Sequence, residues 1–122
     1  MTRDEGLDAF LSLYADGRYW DAHEALEAVW RRSPAPDMVV LHGLIQWAVA
    51  MEHVRRGNPR GARRLLVKSW AKLEPAPSDA LGLDLRPLRA AQPDVAAALA
   101  RWEAGGPAPA APPPQIARVE RT

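Results

Sequence analysis

The residue types best suited to chemistry stand together in one short stretch, His23-Glu24-Ala25-Leu26-Glu27. On an α-helix each residue advances about 100°, so side chains at i and i+4 lie only about 40° apart. His23 and Glu27 therefore share a face. Leu26, Trp30 and Tyr19 mark the middle of the buried side, and Glu24 turns further toward solvent. Two side chains four residues apart can hold one ion, as in the HExxH zinc helix, whose first Glu serves as base. Zinc accepts a carboxylate in the second position as readily as an imidazole. The same five residues equally suit a buried histidine with a carboxylate partner, because Glu and Ala are good helix formers.

A second polar set lies on the next helical stretch, which is apolar nearly all round and should be the central, most buried helix. His42, Gln46 and His53 fall within about 40° of one another and form one polar stripe flanked by Met38 and Val49. Each needs a partner, since an unpaired buried polar group costs about 1–3 kcal/mol. His42 and His53 stand about 16 Å apart along the axis, so one ion cannot take both. A single site would join His23 and Glu27 either to His42 with Gln46 or to Glu52 with His53, and spacing does not choose between the two. The competing reading is a hydrogen-bonded core network that sets helix register without catalysis. Ser12, Ser33, Ser69 and Ser78 carry no local nucleophile signature, and there is no glycine-rich phosphate loop.

The elements that must position these groups are punctuated by glycine and proline. Leu7, Phe10, Leu11, Leu13 and Tyr14 recur at helical spacing before Gly17. A second helix runs from Tyr19 to Arg32 and ends before Ser33-Pro34-Ala35-Pro36. Asp37 is the expected N-cap of a third helix reaching about Arg56. Gly57-Asn58-Pro59 supplies a C′ glycine, an N-cap and a proline at N1 for a fourth, Arg60 to Leu73. Ser78 to Ala91 offers at most a short helix, and Pro93-Asp94 is expected to begin a last one ending near Gly105. An offset of 40 residues superposes Gly17, Ala22, Leu26 and Trp30 on Gly57, Ala62, Leu66 and Trp70, a weak echo of a duplicated helix–turn–helix unit. The expected domain is 1–104. Residues 105–122 hold five prolines and four alanines and are expected to be a disordered tail whose removal leaves the melting temperature unchanged.

Composition sets the class. In 122 residues Ala and Leu number 37, against 12 for Val, Ile and Thr together, which predicts an all-α compact bundle of four main helices plus one or two short C-terminal ones. The absence of cysteine excludes disulfides, thiol nucleophiles and cysteine zinc sites. The longest uncharged run, Met38–Met51, is too short to span a bilayer, and the early acids Asp4, Glu5 and Asp8 are wrong for a secretory signal, so a cytoplasmic protein without membrane contact is expected. Residues 1–28 carry seven acids and two bases, whereas residues 55–72 carry seven bases and no acid. The basic face, with Arg60, Arg64, Lys68 and Lys72 stepping by four, has no interleaved aromatics, which argues against nucleic acid. Its bases are matched instead to the acidic segment, within the fold or across a homodimer.

Three segments resemble the bacterial and archaeal domain-of-unknown-function 309 family: Gly17-Arg18-Tyr19-Trp20-Asp21-Ala22-His23-Glu24-Ala25-Leu26-Glu27-Ala28-Val29-Trp30-Arg31; His42-Gly43-Leu44-Ile45-Gln46-Trp47-Ala48 with His53; and Arg56-Gly57-Asn58-Pro59-Arg60-Gly61-Ala62. The resemblance spans about residues 7–74. It implies a small all-helical fold without an established activity, sometimes labelled a predicted metal-dependent hydrolase. The motif positions it carries over are His23, Glu24, Glu27, Trp30, Gln46, His53 and Asn58, while His42 stands where the family often has another residue. The enzyme expectation that results places His23, Glu27 and His53 on a divalent metal such as Zn²⁺ or Mn²⁺, with Glu24 or Glu52 as general base. His42, Gln46, Asn58 and Trp30 complete a polar cluster around it. The alternative is a non-catalytic, tetratricopeptide-like helical interaction module. The small-molecule substrate is not legible in the chain.

Overall fold

A computed structural model describes residues 1–120. Five α-helices follow one another: α1 (Arg3–Ala15), α2 (Tyr19–Trp30), α3 (Asp37–Arg55), α4 (Pro59–Leu73) and α5 (Arg86–Glu103). A 3₁₀ turn at Ala80–Gly82 precedes the two-residue strand β1 (Leu83–Asp84), which pairs antiparallel with β2 (Ala117–Arg118), Leu83 opposite Arg118. The class is all-α, as the composition requires. Each helix packs chiefly on the next in the chain, α1 on α2, α2 on α3, α3 on α4 and α4 on α5. No described helix is long and apolar enough to cross a membrane.

The core explains the order. Leu7, Phe10 and Tyr14 from α1, Ala22 and Leu26 from α2, and Ala62, Leu66 and Leu73 from α4 all close on α3. That helix buries Leu41, Leu44, Trp47, Ala48 and Ala50 completely, so it is the central element its apolar circumference predicts. Close approach of α3 and α4 depends on Gly43. A Cβ there would stand 2.8 Å from Leu73 Cδ2, and the Gly43 carbonyl accepts the Ser69 hydroxyl at 2.7 Å.

The 40-residue echo is structural. Gly17 and Gly57 both take left-handed φ, +76° and +78°. In each turn the glycine N–H bonds the carbonyl three residues back (Tyr14, Val54) and the following N–H reaches five back (Leu13, His53). This double bond pattern closes a helix end over a left-handed residue. Ala22 and Ala62, then Leu26 and Leu66, are equivalent buried contacts, and Trp30 and Trp70 both lie half-buried beside the core. The hairpins α1–α2 and α3–α4 are thus two versions of one unit.

Two local expectations change. Asp37 is the first residue of α3 rather than its N-cap, which is Pro36, and the Asp37 carboxylate pairs with Arg3. Pro93 does not begin a helix: α5 runs unbroken from Arg86 with Pro93 inside it, its ring on the exposed side. A proline loses one backbone hydrogen bond there, but packing of Leu88 and Leu99 on either side holds the helix together. Thr2 and Glu5 form a reciprocal capping box at the start of α1.

The larger correction concerns the tail. Residues 105–120 are not a disordered extension. They return across α1: the Tyr14 hydroxyl donates to the Pro114 carbonyl at 2.7 Å, Ile116 is buried, and Arg118 pairs with Asp8 at 2.7 Å. Val119 N–H bonds the Gly82 carbonyl beyond the two-strand pairing. The segment builds no core of its own, but prolines cost little further backbone entropy on ordering, and one buried isoleucine with these hydrogen bonds suffices to hold it. Residues 121 and 122 lie outside the described residues. Truncation after Gly106 is expected to lower the melting temperature by several degrees, and Tyr14→Phe to cost about 1 kcal/mol through the lost hydrogen bonds; thermal melts of the three proteins check both.

Candidate functional site

The motif residues come together in three groups rather than one. The first is on α2. His23 is buried, and its Nδ1 donates to the Trp20 carbonyl oxygen one turn back. That leaves Nε2 as the lone-pair nitrogen, the tautomer of a metal-binding histidine whose other nitrogen is fixed by a carbonyl. Glu27 Oε1 lies 3.9 Å from Nε2, and the Glu27 side chain is half exposed. Glu24 is exposed. The Trp20 ring packs against the His23 ring at 4.3 Å between centroids, and the Arg56 guanidinium lies 5.0 Å from the Trp20 ring centroid. Trp20 therefore joins the start of α2 to the end of α3, a cation–π role that sequence spacing does not signal.

The second group bridges α2, α3 and α4. The His42 imidazole lies 4.3 Å from the Trp30 ring, tilted by 31°. Burial lowers the His42 pKa from its ordinary value, the Lys72 ammonium lowers it further, and Glu27 opposes them. Burial and Lys72 thus favour the neutral ring. Gln46 Oε1 accepts from Lys72 Nζ at 2.8 Å, so the amide side chain is committed to α4. Trp30 Nε1 is buried without a hydrogen-bond partner among the described residues.

The third group closes the α3–α4 turn. Asn58 caps α4: its Oδ1 accepts from Gly61 N–H at 3.0 Å, and its Nδ2 donates to His53 Nδ1 at 3.1 Å. Gly61 is required for this contact, because a Cβ there would come within 2.6 Å of Asn58 Nδ2 and 2.8 Å of His53 Nδ1. His53 is therefore turned to the cap of α4, not to His23.

Glu52 is the buried acid of the set, and its surroundings decide its chemistry. Arg55 reaches both of its oxygens at 2.9 and 2.6 Å, and Arg56 Nε bonds Oε2 at 2.6 Å. The Arg55 hydrogen bond holds the Glu52 carboxyl below the usual glutamate range, with Arg56 adding to it against the opposing effect of burial. A general base works best with a pKa near the working pH, so this lowered, doubly paired carboxylate is a poor one. The spacings of i+3 and i+4 were legible as helix ion pairs.

A metal does not fit this arrangement. Among the described residues no group of three or more His, Asp or Glu side chains is gathered as a metal would need. The α2 face offers His23 Nε2 and Glu27 alone, short of the three protein ligands of catalytic zinc sites. Among the described residues no base of the 55–72 stretch forms an ion pair with an acid of residues 1–28 either. Arg63 pairs with Glu103 at 3.4 Å, and Arg55 and Arg56 with Glu52.

The arrangement defines a small all-α protein of paired helical hairpins with polar residues at the hairpin seams. Residues 7–65 match the model of the domain of unknown function DUF309. The chain is 37% identical over 81 residues, 64% of its length, to the uncharacterized protein YpuF of Bacillus subtilis (strain 168). It spans about half of that relative, 47%. No solved structure gives a significant match.

Glu52 yields a test with a definite sign. A carboxylate whose folded pKa is depressed contributes stability above the unfolded value, about 4.3, and loses it as pH falls through the folded one. Glu52→Gln should therefore cost about 1–3 kcal/mol at pH 7, the exposed arginine ends limiting the figure. The gap to wild type should narrow steadily below about pH 4, as denaturant melts across that range would register.

Proposed function

We propose that the chain is a non-catalytic helical interaction module, two like helix–turn–helix units stacked in the manner of tetratricopeptide repeats. One observation carries the reading: four of the candidate polar side chains end on neighbours within the chain. Glu52 is neutralised by Arg55 and Arg56, Gln46 is bonded to Lys72, His53 to the Asn58 cap, and His23 to the Trp20 carbonyl. Groups satisfied in this way set helix register and spacing. A catalytic constellation needs convergent groups, each with an atom left free to face a substrate.

The experiment that separates this from a metal-dependent hydrolase is thermal melting of wild type and His23→Ala with added Zn²⁺, Mn²⁺ or a chelator. A site held by an ion is stabilised by that ion by mass action, and a self-satisfied network is not. The expected result is a wild-type melting point indifferent to all three. A shift of several degrees that vanishes in His23→Ala would overturn the reading in favour of the hydrolase.

The partner favoured by charge is a second copy of the chain. Seven acids lie within residues 1–28, whereas Arg60, Arg64 and Lys68 are exposed on α4 and form no ion pair among the described residues. Opposed patches of this kind steer association and are screened by salt. Sedimentation should show a homodimer at low ionic strength that dissociates toward monomer at about 0.5 M salt; a monomer at both would remove the second copy as partner.

A further inference from the structure

A space of about 350 Å³ lies between the C-terminal half of α3, the start of α2, and α5. Met51 and Val54 of α3 and Val95 and Leu99 of α5 form its apolar walls, and its roof is the returning segment, Pro109 and Ala111–Pro114. The roof is held at both ends. Gly105 closes α5 with its N–H on the Trp102 carbonyl, and Pro114 is fastened to Tyr14 ahead of the buried Ile116. Between them, residues 107–113 make no backbone hydrogen bond among the described residues, and four of these seven are proline. A strap of this kind can rise and settle without breaking hydrogen bonds. Its proline and alanine side chains are too short to fill the space they cover.

Polar groups occupy the edges of the space. Tyr19 and Arg55 stand on the α2–α3 side and Asp94 on α5. Arg55 spends Nε and Nη2 on Glu52, which leaves Nη1 as a donor. An apolar pocket of ligand size with a few polar groups at its margin has the form of a small-molecule site.

We infer that the chamber under the proline strap binds a small amphipathic molecule with an aliphatic body and a carboxylate head. The body lies against Met51, Val54, Val95 and Leu99, and the head turns to the α2–α3 side, where Arg55 and the Tyr19 hydroxyl donate. Asp94 repels the head from the α5 side and so fixes its orientation. This site does not depend on how the interaction module is read.

Octanoate, octan-1-ol and octylamine share one chain and differ in the head, so titrating each into the full-length protein by calorimetry tests both halves of the inference. Octanoate should bind saturably with one site and raise the melting temperature, and octylamine should bind at least about tenfold more weakly, the factor that one charge-assisted hydrogen bond supplies. Ala98→Phe, which fills the chamber from α5, should abolish octanoate binding. In wild type, octanoate should shift the NMR methyl signals of Met51, Val54 and Leu99, a readout that stands even if the variant fails to fold. Absence of saturable binding, equal affinity for the three heads, or signal shifts confined to other residues would each overturn the inference.

Discussion

A buried indole N–H is costly without an acceptor, and meeting that need at Trp47 links three parts of the chain. Trp47 is fully buried at the middle of α3, and its Nε1 donates to the Tyr14 hydroxyl at 3.1 Å. The hydroxyl passes its own hydrogen to the Pro114 carbonyl. A proline carbonyl in an extended segment has no secondary-structure partner, so the bond satisfies both ends. Central helix, first helix and C-terminal strap are thereby held by one relay in a site where burial also pushes the Tyr14 pKa far upward, so the hydroxyl remains a donor. The order of the strap, and the chamber beneath it, follow from this constraint.

The polar residues at the hairpin seams obey the same rule. Each seam brings a helix end against a neighbour and leaves a donor or acceptor to be matched. His53 and Asn58 match at the α3–α4 turn, Gln46 and Lys72 midway between α3 and α4, and Glu52 with its two arginines at the end of α3. Trp20 covers that last group by lying beside both His23 and Arg56. Exposed pairs of this sort contribute little each. A buried carboxylate that loses its partners is costly, and this asymmetry makes such residues strict about register. Trp30 is the exception, since its indole N–H is buried without a partner among the described residues while its ring packs on His42.

The duplicated hairpin gives these seams a common geometry. Both turns place glycine at a left-handed position and both second helices present alanine, then leucine, then tryptophan toward the neighbour. The two units differ where their polar residues differ. The first turn leads into Tyr19, Trp20 and His23, and the second into the Asn58 cap. A shared backbone plan thus carries unlike side-chain chemistry at equivalent places, as happens when stacked repeats bury a continuous core but are free to vary at their edges.

Local physics made much of this legible from the residues alone. Helical periodicity, the Gly57-Asn58-Pro59 boundary, the buried alanine and leucine positions and the all-α class depend on neighbours a few residues away, and the chain states them directly. The i+4 placement of His23 and Glu27 belongs with them. What the chain could not state was which polar groups would face each other across helices. His53 turning to Asn58 and Gln46 to Lys72 is settled by helix rotation and close approach at Gly43 and Gly61, properties of packing that no single helix carries. The continuity of α5 through Pro93 and the capture of a proline-rich tail were hidden for the same reason. Each is decided by contacts with distant residues, which overrode the local tendency of proline to break a helix or of a core-poor segment to stay unfolded.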